Sequence, residues 1–207
     1  MNKNLLWAVT GMLGLLLIGA GAALIALQTT AGGFSAHAEP TAIEAWAATK
    51  ARQMAMPAGA LATHNPVPPS PENLAEAKEH WADHCAGCHA NDGSAANTMG
   101  KQMYPPAPDM RQAKTQNLSD GELFFIIENG IRLTGMPAWG NGTAHSTEAS
   151  WKLVHFIRHL PKLTTTEIAE MEKMNPKSPA DLEEEKQEEE FLKGATPAPT
   201  AQESHHH

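Results

Sequence analysis

The sequence predicts an all-α protein: helices joined by long loops, with an apolar helix in front and a polar tail behind. Three observations predict it. No stretch of any length alternates apolar and polar residues as a half-buried strand would, and there is no internal repeat. Apolar residues instead recur at helical spacing in several segments, most of them opened by a capping signal. The connecting stretches lack periodicity and are punctuated by Pro and Gly. The 207 residues suit one compact domain of about 100 residues plus appendages.

Residues 1–28 read as a membrane segment. Leu5 to Leu27 carries no charge and is long enough to cross a bilayer core of about 30 Å at about 1.5 Å per residue. A cleaved signal has a shorter apolar run, about 7–15 residues, with its small-residue site close behind. Here the nearest A-x-A, Ala36-His37-Ala38, lies well downstream. An uncleaved transmembrane anchor is therefore preferred to a signal segment, with Lys3 favouring a cytoplasmic N-terminus. Either reading exports the remainder, so the cysteines work in an oxidising compartment.

Residues 29–71 form a linker with a short juxtamembrane helix over 41–56, whose apolar contribution is Ile43, Trp46, Ala47 and Met54. A proline-rich break over 64–71 follows. Ser70-Pro71-Glu72 then opens a helix: an N-cap hydroxyl, proline in the first turn and an acid at the positive end of the dipole. Leu74, Ala77, Trp81 and Cys85 share one stripe of it. Residues 93–117 read as a long ordered loop, which a compact domain tolerates only if something organises it. Ser119 and Glu122 make a capping box with Leu118 and Leu123 as its staple, and that helix stops at Gly130. A second loop covers 131–146. A third helix over 147–160 sets Trp151, Val154, Ile157 and Leu160 on one face and ends before Pro161. A further short helix runs from Thr164 to about Met174. The domain is thus residues 72–162, followed by a C-terminal extension and acidic tail over 163–207.

A formal net charge of −8 argues against a nucleic-acid partner, which would need clustered Lys and Arg. The run Asp181 to Glu190 holds seven acids and one lysine and reads as a solvated helix or disordered tail; docking of a basic electron partner is the sharper alternative. His205-His206-His207 is either a metal-binding tail or an expression remnant.

Chemistry concentrates in Cys85-Ala86-Gly87-Cys88-His89, which holds the only two cysteines. Zinc wants four tetrahedral ligands, and no second Cys or His pair sits in register. A thioredoxin-like site needs a βαβ context. A structural disulfide across so short a loop would constrain the unfolded chain little. Covalent haem accounts for every residue of the pentad: the thiols form thioethers to the porphyrin and the adjacent imidazole reaches the iron. A bound macrocycle would also supply the core that the two long loops otherwise lack. The pairs His80/His84 and His155/His159 have metal-ligand spacing, but no third ligand is identifiable. Exposed or haem-adjacent histidines are the preferred reading.

With that pentad, residues 72–160 resemble a class I c-type cytochrome. Ala77-Lys78-Glu79-His80-Trp81 carries the small residue and aromatic of the family's first helix, with Ala77 in place of the usual Gly. Trp151 and Phe156 lie on the helix that crosses it. Ala90 stands where many members have glycine, and Gly93 is expected to take over the turn. Pro105-Pro106-Ala107-Pro108-Asp109 resembles the proline segment beside the proximal imidazole. The resemblance implies a single haem c on Cys85 and Cys88, with His89 as proximal ligand.

It also implies a distal methionine between the last two helices, often followed by proline. Gly135-Met136-Pro137-Ala138-Trp139 fits, which makes Met136 the expected sixth ligand and places Trp139 at the haem edge. Proline keeps the residue before it extended. Met99, Met103 and Met110 are rivals, with His145 the best histidine rival; Met54, Met56, Met171 and Met174 read as core filler. His/Met ligation gives a higher potential than bis-His ligation and leaves iron no vacant site. The expected protein is an electron carrier rather than an enzyme, held in the inner membrane with its haem domain in the periplasm, or soluble there if the N-terminus is cleaved. It would exchange electrons with membrane complexes or periplasmic oxidoreductases. The alternatives are a fixed haem subunit of a larger respiratory oxidoreductase and, more remotely, a haem sensor or peroxidase.

Overall fold

The computed structural model describes residues 2–29 and 35–193; the terminal His205-His206-His207 lies outside these. The described residues contain helices and no strands. Helix α1 (Lys3–Thr29) is long and apolar enough over Lys3–Ala26 to cross a membrane, a property that signal sequences near an N-terminus share. Next come α2 (Ala42–Ala55), α3 (Ala58–Ala62) and α4 (Pro71–His80). A single π-helical turn, Trp81–Cys85, leads into α5 (Ala86–His89). Two short helices, α6 (Thr98–Gln102) and α7 (Ala113–Gln116), interrupt the long loop that the sequence predicts over 93–117. Then follow α8 (Asp120–Asn129), α9 (Ala144–His159), α10 (Thr165–Glu172) and α11 (Pro179–Leu192).

The helix ends follow their side chains. Ser70 accepts from the Asn73 amide with Pro71 in the first turn of α4. Ser119 and Glu122 close their capping box on α8, and Gly130 ends it at φ 64°. Helix α9 begins at Ala144, three residues before the expected start, because Thr143 accepts from the Ser146 amide and caps it there. Hydroxyl capping by threonine satisfies one of the amides a helix start leaves unpaired.

The core lies where α4 crosses α9. Ala77 is 1 % exposed at that crossing, and Trp81 packs on Phe156 with ring centroids 5.4 Å apart. Phe124 of α8 stacks on Trp151 of α9 at 3.9 Å. Met171 of α10 is fully buried in the same core, as a filler methionine should be. Met54 and Met174 are not: they are 86 % and 40 % exposed. Their assignment to the core is corrected, because α2 turns the face carrying Met54 away from the domain and Met174 lies just past the end of α10.

Residues 58–67 pack on the domain, a contact that composition did not foretell. Asn65 Nδ2 donates to the Trp151 carbonyl at 2.9 Å, and His155 Nε2 donates to the Val67 carbonyl at 2.8 Å. Helix α3 lies so close to α8 that a methyl group on Gly121 would stand 2.0 Å from the Ala60 carbonyl oxygen. Helix α11 has no buried residue, in keeping with a solvated acidic helix. Gly121→Ala should therefore push α3 off α8 and lower stability by about 1–3 kcal/mol, read as a lower urea midpoint with unchanged helix content.

Candidate functional site

A crevice opens between two walls of the domain, its lining almost wholly apolar. One wall is the π turn and α5, which bring His84, Cys85, Cys88 and His89 to it; the proline segment Pro105–Pro108 adjoins them. The other is the loop after α8, with Ile131, Thr134, Met136, Pro137 and Trp139. Sequence reasoning selected Cys85, Cys88, His89, Met136 and Trp139, and all five line this one cavity.

The first wall is fixed by its neighbours. Trp81 Nε1 donates to the Ala90 carbonyl at 3.1 Å, and the Trp81 and His89 rings lie 5.8 Å apart. Asn97 Nδ2 donates to the carbonyls of Ala86 and Gly87, each at 2.8 Å. Both Ala90 (φ 59°) and Gly93 (φ 75°) turn the chain through positive φ, so Gly93 does not relieve Ala90 of the strained conformation. With ψ 161°, Ala90 occupies a region that is essentially reserved for glycine.

On the second wall, Met136 is held by both of its backbone groups. Its amide donates to Thr134 Oγ1 at 3.1 Å, and its carbonyl accepts from the Ile131 amide at 3.1 Å. Gly130 is required here, since a side chain would come within 2.6 Å of the Pro137 backbone. The Trp139 amide donates to the Ile127 carbonyl at 3.0 Å, and its ring meets His84 edge-on at 5.4 Å.

Electrostatics separates the readings of the cysteine pair. Burial pushes the Cys85 thiol up to about 12, with Cys88 adding to it, and burial raises Cys88 as well. A CxxC redox site works by lowering a thiol into the neutral range, so this environment is the wrong one for disulfide exchange. Zinc fares no better: among the described residues no group of three or more His, Cys, Asp or Glu side chains is placed to hold a metal ion. Burial pushes the His89 imidazole below its ordinary value, and the Pro108 carbonyl opposes that. His89 Nδ1 is buried and has no hydrogen-bond partner among the described residues. Two thiols and a neutral imidazole on an apolar cleft fit haem c. Cys85 and Cys88 would tether it, and His89 and Met136 would hold its iron.

The rivals differ in position. Met103 also lines the crevice; Met110 packs against the core; Met99 lies 3.7 Å from the Cys88 sulfur. His145 borders a different, polar recess with Glu76, His80, Glu148 and Lys152. His159 Nε2 is 2.8 Å from Glu167, and with His155 on Val67 that pair serves packing. Sequence reasoning missed Thr134, Asn97 and Pro108. Only Pro108 had a signal, its place in the proline segment.

Arg111 braces the proline segment, pairing with Asp109 and with Asp92 at 2.9 Å each. The Arg111 hydrogen bonds hold the Asp109 carboxyl at about 2, below its ordinary 3.8. A folded-state value below the unfolded one gives stability that is complete above about pH 4 and is lost as pH falls towards 2. Asp109→Asn should flatten that acid limb, measured as urea midpoint against pH. Ala90→Gly should raise stability by about 1 kcal/mol by relieving the positive φ, seen as a higher denaturation midpoint.

Residues 72–157 match the model of a family described as cytochrome c oxidase, cbb3-type, subunit III. The match begins in the first turn of α4, includes both walls of the crevice and ends in α9. It agrees with the all-helical fold and with the two cysteines and histidine on one wall. This part of the chain is a c-type cytochrome domain, and such a domain implies haem c.

Proposed function

We propose that the protein carries single electrons through one haem c, which Cys85 and Cys88 would attach and whose iron His89 and Met136 would ligate. The observation that carries this reading is the convergence of those four side chains, from two separate walls, on one apolar crevice. C-type cytochrome domains are electron carriers and commonly subunits of oxidase complexes. When bound, haem supplies an iron that alternates between Fe(III) and Fe(II).

The chain's own residues set the conditions. Burial favours the neutral form of His89, the form that can ligate iron. Hydrogen bonds at the Met136 amide and carbonyl fix the backbone from which its thioether projects. A soft, neutral sulfur favours Fe(II), and two protein ligands leave no position for a substrate. Pro105, Pro106, Pro137 and Trp139 give the cleft an apolar lining, and an exposed edge of the bound haem would exchange electrons with redox proteins. Helix α1 serves as the anchor, placing the domain on the periplasmic side of the inner membrane. The family description favours a second reading, a fixed subunit of a respiratory oxidase; co-purification of oxidase subunits with the native protein would select it.

Met136→Ala should lower the midpoint potential by on the order of 0.1 V, a modest part of the roughly 0.8 V that axial ligands command, and should let the reduced protein bind carbon monoxide. Met103→Ala should do neither. A Met136→Ala protein retaining the parent's methionine–iron absorption band, or loss of that band in Met103→Ala, would overturn the ligand assignment.

A further inference from the structure

Helix α2 is built the wrong way round for a soluble domain. An amphipathic helix normally turns its apolar stripe to the core. On α2, Ile43, Trp46 and Met54 share one stripe at 3.6 residues per turn and are 79 %, 64 % and 86 % exposed. Arg52, on the opposite side, and Thr49, beyond the Trp46 edge of the stripe, are its only partly covered residues. Glu44, on a flank, accepts from the Tyr104 hydroxyl at 3.3 Å. The 14-residue helix has no buried residue, and a free helix of that length is marginal in water. Its Thr41–Glu44 capping box settles where it starts but covers none of the stripe.

We propose that α2 is an interfacial helix whose Ile43–Trp46–Met54 stripe lies in the headgroup region of the bilayer that α1 spans. The inference rests on α1 being an uncleaved anchor. Residues 30–41 then hold α2 within about 40 Å of the end of the span at full extension. Tryptophan prefers the membrane–water boundary. Lys50 falls within the stripe, where a long stem can lie along apolar groups while its ammonium meets phosphate. Lys50 is the one charged residue within the stripe, so the face turned to the bilayer is basic on a chain of formal net charge −8 and suits an anionic surface. Because Glu44 reaches Tyr104 beside the crevice, seating α2 at the headgroups would hold the crevice at a set height above the membrane.

The test uses full-length holoprotein carrying Trp7→Phe, in vesicles of phosphatidylcholine and phosphatidylglycerol with lipids brominated near the headgroup. Flotation with the vesicles reads the anchor, and bromine quenching reads the helix. The expected result is flotation together with loss of at least half of the emission that a further Trp46→Phe change removes. A chain that floats with Trp46 unquenched overturns the interfacial helix alone. That outcome includes a Trp46 shielded by a second copy or by another protein. A chain that fails to float overturns the anchor and the interfacial helix together.

Discussion

Where α4 crosses α9, Ala77 is buried in the contact, and the position of the first wall follows from that approach. Trp81, one turn on, fills the space beside Phe156 and passes its indole N–H to the Ala90 carbonyl. The crossing thereby sets the height of the turn that carries Cys85, Cys88 and His89. Full burial of side chains of the size of Phe156 and Leu160 stabilises by about 1.5–3 kcal/mol each, so the contact is strong enough to hold a strained Ala90 beside it.

The two walls differ in how they are held. Hydrophobic packing positions the cysteines and histidine, whereas hydrogen bonds within the loop position Met136. Thr134 is central to the second, because its hydroxyl donates to the Ile131 carbonyl at 2.7 Å and accepts from the Met136 amide. A loop pinned in this way needs no helix to present a side chain. Burial raises the thiols, lowers the imidazole and favours a neutral lining, the environment suited to a large apolar cofactor with a neutral ligand pair.

Local signals made much of this legible. Ser70, Ser119 and Thr164 marked helix starts because an N-cap hydroxyl acts within its own turn. The cysteine–histidine pentad was legible for the same reason, being a motif within five consecutive residues. The short helices α6 and α7 were not, since four or five residues hold too little periodicity to register. Nor was the docking of α3, which depends on the absence of a side chain at Gly121, about sixty residues away. Met171 and Met54 look alike in sequence, and only burial separates the core methionine from the exposed one.

By itself the sequence determined an all-helical chain, an apolar N-terminal helix and a cysteine–histidine motif, since each of these is written in neighbouring residues. Tertiary structure decided which distant groups share a cavity. It set Met136 and Met103 on the crevice and His145 outside it, brought the Pro108 carbonyl to the His89 ring, and turned the apolar stripe of α2 away from the core. Such choices depend on how two helices cross and where a loop folds back, and no local pattern encodes a contact between residues fifty positions apart.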